Sequence, residues 1–269
     1  MALPLVGPKR FDAPRGLLFD CDGTLLDSMP LFFHSWLDVC PKFGLTMTED
    51  EFYGFAGMPL PDIVRSLHRR CLGTEATDEF VDKFLAAKKR LHAANERVRG
   101  PPEPIHCVVA LAREAKARGV PIAIATSGLR EHVQAHLAAA GLEDLFSFEL
   151  GNVVVAADVK RGKPAADIFI EAARRIGVHP SECRAFEDGE SGLQSAYAAG
   201  CEVVDVTAMK GYPTCPGLQR AKLEAASKRT WLWPMRDAIV SRGLSPSTGT
   251  ALVVLGMATA AAIAWRRGH

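Results

Sequence analysis

Residues 17–28, reading LLFDCDGTLLDS, constrain this chain more than any other stretch. Leu17, Leu18 and Phe19 form an apolar run with no polar alternation, the pattern of a strand buried on both faces of a parallel sheet. A ligand is expected at the carboxyl end of such a strand. Asp20 and Asp22 stand two apart, so on extended backbone their side chains lean to one side, and Gly23 lets the chain turn away. Two carboxylates facing one point repel unless a divalent cation or a substrate's charge lies between them. Hard oxygen ligands at this density favour magnesium. Cys21, between them, is expected to point into the core.

With 269 residues the chain is long enough for one large domain or for a core with an insert. The formal net charge of +1 gives no electrostatic case for nucleic acid. The seven cysteines are scattered, odd in number and without a CxxC pair, which fits a reducing compartment. The opening MALPLVGPKR is broken by Pro4 and Pro8 and has no long apolar core, so no secretory signal is expected.

After Ser28 the pattern becomes helical. Pro30 suits a first helical turn, and Leu31, Phe32, Trp36, Leu37 and Val39 form a stripe that Pro41 ends. Helices are predicted at 62–72 and 78–95, closed by Gly100, Pro101 and Pro102. A helix over 105–117 and a buried strand over 120–125 follow, ending in Thr126, Ser127 and Gly128. A hydroxyl there, ahead of a helix, can hold a phosphate oxygen together with backbone N–H groups. His132 and His136 are four apart on that helix and are expected on a solvated face; Val133 rules out HExxH. A strand region over 146–155 precedes Lys163, which stands before Pro164. A strand end at 184–186 leads into Glu187 and Asp188, adjacent acids that suit the second half of a magnesium site. The last core strand is predicted at 203–206; Gly and Pro then break the chain over 211–217, and 218–228 looks helical and charged.

The opening stretch matches the DxDGTLxDS signature of the haloacid dehalogenase-like (HAD) phosphohydrolases, and the chain resembles that family over about 16–207. Thr126, Lys163 within GKPAADIF, and FEDGESGLQSA around Glu187 and Asp188 match the family's other motifs in order. The resemblance implies an α/β fold, a doubly wound parallel sheet of HAD-like Rossmannoid type over 11–27 and 101–210. It implies an α-helical cap over 28–100 that closes on the site; outside the resemblance, 211–247 reads as a linker or helical extension. It makes Asp20 the nucleophile, Asp22 the acid and base, and Thr126, Ser127 and Lys163 the phosphate-binding groups. Magnesium (Mg2+) would be held by Asp20, Asp22 through its carbonyl, and Asp188, with Glu187 beside it. The texture is similar to sugar-phosphate phosphatases and β-phosphoglucomutases; VVAADVKRGKPAADIF and CEVVDV look like fructose-1-phosphate phosphatases. Where the mutases present a histidine and an arginine this chain has Phe32 and Leu60, although His34 or Arg65 could substitute. The expectation is hydrolysis of a small phosphorylated metabolite. The alternatives are mutase chemistry, a dehalogenase, which the acids at 187 and 188 argue against, and a non-catalytic membrane-tethered module.

The carboxyl-terminal stretch 248–265 is free of charge and would span roughly 27 Å as a helix at ~1.5 Å per residue. Arg242, Arg266, Arg267 and Trp265 suit the two interfaces, and Gly256 with Ala260 forms a small-xxx-small pair. A core-packed amphipathic helix would need a polar face that 252–263 does not offer. The expectation is a transmembrane helix, a tail anchor that partners a membrane and leaves the catalytic domain in the cytosol. Its basic end resembles anchors of the mitochondrial outer or peroxisomal membrane; without it the protein would be cytoplasmic.

Overall fold

The structure, a computed structural model, describes residues 3–7, 10, 12–55, 58–215 and 217–218. In chain order the elements are β1 (Leu5–Val6), β2 (Gly16–Phe19), α1 (Met29–Val39), α2 (Glu49–Gly54), α3 (Leu60–Leu72) and α4 (Asp78–Arg99). There follow α5 (His106–Ala117), β3 (Ile122–Thr126), α6 (Arg130–Ala139), β4 (Val153–Val155), α7 (Asp167–Arg175), β5 (Cys183–Glu187), α8 (Glu190–Ala198) and β6 (Glu202–Asp205). The strands form one sheet in the order β1-β6-β5-β2-β3-β4. All neighbours are parallel except β1, which pairs antiparallel with β6 at the edge.

Alternate residues of each central strand face opposite layers. Leu17, Phe19, Ile122, Ile124, Val153 and Val155 pack with Val108 and Ala112 of α5 and Val133 and Leu137 of α6. Leu18, Ala123, Ala125, Val154 and Ala185 pack on the other side with Phe169 and Ala172 of α7 and Leu193 of α8. The expected doubly wound parallel sheet is therefore present, with β2 in its centre and an antiparallel edge strand added. Phe19 stacks on Phe186 at 4.8 Å between ring centroids and meets Phe146 edge-on at 5.8 Å.

Helices α1–α4 have a core of their own, built on Trp36, Val39, Val64, Leu67 and Phe84. Thr48 and Glu51 cap α2 reciprocally: Glu51 N–H donates to Thr48 Oγ1 at 3.2 Å and Thr48 N–H to Glu51 Oε2 at 2.9 Å. The helical block leaves and rejoins the sheet through neighbouring segments. Asp27 N–H donates to the Glu103 carbonyl at 2.8 Å, and Ile105 N–H to that of Leu25, also at 2.8 Å.

Several boundaries differ from those read in the sequence. Only Val153–Val155 of 146–155 is strand, because the Asn152 amide holds the preceding turn through the Leu145 and Ile122 carbonyls at 2.8 and 3.1 Å. The last strand ends at Asp205, whose Oδ1 accepts Thr207 N–H at 3.2 Å and turns the chain into a 3-10 helix. Helix α2 and the two-residue β1 went unread. Among the described residues no helix is long and apolar enough to cross a membrane. The tail anchor expected at 248–265 and the helical extension over 218–228, beyond Leu218, lie outside the described residues.

Phe19 fills the space between two other rings at the centre of the sheet. Phe19→Ala is expected to cost about 3–5 kcal/mol, read as a lower urea midpoint with an unchanged slope.

Candidate active site

The end of β2 and the end of β5 lie side by side, with Phe19 in register with Phe186. Asp20 N–H donates to the Phe186 carbonyl at 3.0 Å, which delivers the Asp20 carboxylate next to Glu187 and Asp188. Carboxylate oxygens of Asp20, Glu187 and Asp188 all lie within 4.8 Å of one another, and all three residues are buried. Lys163 enters from the loop before α7 and donates to both Asp20 Oδ1 and Glu187 Oε1, the latter at 2.7 Å. Its side chain is 6% exposed, so the lysine is an interior ion-pair partner and no surface residue. Burial works against its charge, but Asp20 and Glu187 outweigh that and hold its pKa above the ordinary lysine value. Burial, together with Glu187 and Asp188, pushes Asp20 well above the usual carboxylate range, while Lys163 pulls it back.

Two glycines make this crowding possible. Gly23 has φ +81°, and a Cβ there would lie 2.4 Å from Asp188 Oδ2; at Gly192 a Cβ would fall within the Glu187 carboxylate. Thr24 Oγ1 donates to Asp188 Oδ1 at 3.0 Å, and Gly189 N–H to Glu187 Oε2 at 2.8 Å. Both Glu187 oxygens are thus engaged, so its first role is to steady Lys163.

The Asp22 carboxylate, expected to share one point with that of Asp20, stands outside the cluster of three. Asp22 follows the end of β2 and bridges to Leu26 across the turn at 23–25. Its carboxylate is not in the acidic cluster and lies instead beside Gly128, where a Cβ would be 3.3 Å from Asp22 Oδ2. Burial raises the Asp22 pKa, opposed by Ser28, His136, Lys163 and His132. The buried Ser28 hydroxyl lies close to the Asp22 carboxylate. Thr126 is buried at the end of β3 and its Oγ1 accepts Gly128 N–H at 3.0 Å, whereas Ser127 is exposed.

The solvated face expected for His132 and His136 is also corrected. His136 is buried and its Nε2 lies 2.7 Å from Glu96 Oε1, because α4 covers that face of α6. His132 lies between His136 and His92 of α4, with ring centroids 6.4 and 6.5 Å away. Spacing alone could not show this, since the covering helix comes from a distant part of the chain. A further residue carried no signal at all: the Tyr212 hydroxyl donates to the Gly23 carbonyl at 2.6 Å.

The donor set fits magnesium: three buried carboxylates against one ammonium leave excess negative charge among hard oxygens. No other group of three metal-ligating side chains gathers among the described residues.

A family model described as haloacid dehalogenase-like hydrolase matches residues 14–200. A fructose-1-phosphate phosphatase of Escherichia coli is 33% identical over 197 residues, covering 73% of this chain and 98% of its own. Hexitol phosphatase A of the same organism is 32% identical over 199 residues, covering 74% and 86%. A HAD hydrolase of family IA, variant 3, from Entamoeba histolytica superposes with a TM-score of 0.60 at 25% identity, covering 77% of this chain and 98% of its own. The chain belongs to the haloacid dehalogenase-like hydrolases and is an enzyme of the phosphoric monoester hydrolase class.

Because metal and protons compete for the raised Asp20 carboxylate, magnesium is expected to raise the melting temperature more at pH 8 than at pH 5.5, by differential scanning fluorimetry. Equal shifts at both pH values would remove Asp20 from the metal's ligands. Lys163→Met is expected to cost about 3–5 kcal/mol at neutral pH by leaving buried carboxylates unpaired. The folded pKa of Asp20 then stands further above its unfolded value, so the deficit should shrink as pH falls through it; a urea series from pH 8 to pH 5 checks this.

Proposed function

We propose that the protein is a magnesium-dependent phosphatase acting on a small phosphomonoester of the sugar-phosphate class, through an aspartyl-phosphate on Asp20. The observation that carries this reading is Asp20 itself, buried at the end of the central strand and held by Lys163. Asp20 attacks phosphorus, and the bond to the ester oxygen breaks. Asp22 supplies the proton to that oxygen; burial raises its carboxyl pKa, which favours the protonated form. A water then attacks the aspartyl-phosphate, Asp22 takes its proton, and inorganic phosphate leaves. Lys163 offsets charge on the phosphoryl oxygens, and Thr126, with backbone N–H groups near Ser127, orients them. Asp20, Asp188 and the Asp22 carbonyl would hold magnesium, with Glu187 steadying Lys163. When bound, the ion supplies charge neutralisation at the transferring group.

The sugar-phosphate class is supported by the names of the two bacterial relatives. Hydrolysis in preference to mutase chemistry is supported by the helical insert. It encloses a cavity of about 250 Å³ whose walls include Met29, Phe32, Trp36, Phe52 and Leu60, with Lys88 as the cation among its lining. Lys88 lies 5.1 Å from the Trp36 ring, and burial lowers its pKa to about 8. Arg65 is paired with Asp78 at 2.6 Å and neither it nor His34 lines the cavity. A mutase must grip a second phosphate, and this lining has no guanidinium to do so.

Asp20→Asn fills the same volume without a nucleophilic oxygen, so phosphate release should fall by roughly 10³ or more with the fold intact. Turnover near the parent level would remove the role given to Asp20. A panel of phosphomonoesters, with and without a magnesium chelator, tests substrate class and metal together. β-Glucose 1-phosphate supplied with its bisphosphate should yield free phosphate; conversion to glucose 6-phosphate would establish the mutase reading instead.

A further inference from the structure

The chain after β6 returns across the catalytic loop. Tyr212 is 8% exposed, packs in the core layer that contains Phe19 and Phe186, and donates to the Gly23 carbonyl at 2.6 Å. Gly23 stands between Asp22 and Thr24, and its N–H donates to the Leu26 carbonyl at 2.8 Å. The peptide groups on both sides of this residue are therefore held, one by the turn itself and one by Tyr212. Burial, reinforced by Asp188, Asp27 and Asp205, keeps the phenol pKa above its ordinary value, so the hydroxyl stays a donor. A few residues on, the same stretch reaches the helical insert. The Cys215 thiol meets the Tyr53 hydroxyl, and Gly217 N–H donates to Glu49 Oε2 at 3.2 Å. Tyr53 and Glu49 both belong to α2. These residues lie beyond the span 14–200 that the family model matches.

We propose that Tyr212 is a positioning residue for the reaction, fixing the Gly23 carbonyl and so the direction of the Asp22 acid. Cys215 and Gly217 tie the same stretch to α2, so the placement of the insert and the geometry of the acid are set together. The kinetic part rests on the reading of Asp22 as the acid; the coupling part rests on geometry alone.

The test uses the full-length chain in three forms: parent, Tyr212→Phe, and Glu49→Ala with Cys215→Ala. Hydrogen exchange of residues 20–28 and 49–55 is followed beside steady-state kinetics on an alkyl phosphate and on p-nitrophenyl phosphate. In Tyr212→Phe, exchange at 22–26 should accelerate while β3 and β5 are unchanged, and kcat on the alkyl ester should fall about tenfold with KM within twofold. The loss on p-nitrophenyl phosphate should be smaller, because nitrophenolate leaves with little help from an acid. In the double variant, exchange should rise both in α2 and at 22–26. Unchanged exchange at 22–26 in Tyr212→Phe overturns the proposal. So does an equal kcat loss on both esters that tracks a lower melting temperature, which marks a structural contact only. A double variant altered only in α2 overturns the coupling, and this arm decides the matter if Tyr212→Phe does not fold. If the parent hydrolyses neither ester, the phosphatase reading fails, while the exchange results still judge the strap.

Discussion

Three carboxylates and one ammonium are confined where β2 and β5 end, and much of the structure exists to make that confinement tolerable. In an interior of low dielectric, like charges at this spacing repel strongly and each must be offset or protonated. The parallel ladder of β2 and β5 sets the separation of the two strand ends, and the rings of Phe19 and Phe186 stack at that spacing. Gly23 and Gly192 remove the side chains that would otherwise collide with Asp188 and Glu187. Lys163 supplies a charge from a third segment, and Thr24 and the Gly189 N–H occupy carboxylate lone pairs. The excess negative charge that remains is what a divalent cation is suited to meet.

The parts legible in the sequence were those governed by local rules. Leu17 to Phe19 and Ile122 to Ala125 read as strands because a strand covered on both faces has no polar alternation. Asp20, Lys163, Glu187 and Asp188 were found because strand ends and family motifs mark them, and the fold brings them together. That Glu187 and Asp188, and not Asp22, join Asp20 in the tight cluster is set by the neighbouring strand end, which a spacing of two cannot show. His136 was misread because the helix that buries it is supplied by the insert. Tyr212 left no trace because a lone aromatic after the last core strand has no period and no motif. Leu5 and Val6, hemmed by Pro4, are too few to show any pattern.

The insert and the core are lined differently. Core residues carry the charge, whereas the cavity of the insert is walled largely by apolar side chains with Lys88 pressed against Trp36. A surface of that kind discriminates by shape and excluded water more than by hydrogen bonds.

The two crossings between sheet and helical block are hydrogen-bonded to each other, Asp27 to Glu103 and Leu25 to Ile105. Topologically the whole block is therefore one long excursion from a closed neck, and the core sees only a paired stem. A neck of this kind lets evolution, or an engineer, exchange the block as a cassette without reregistering the sheet, since loop-closure entropy grows only slowly with the length inserted. In this chain the exchange has a condition that the neck alone would not impose. Glu49 and Tyr53 also meet the stretch after β6, so a transplanted block must bring a matching α2 surface, or travel together with its own carboxyl-terminal strap.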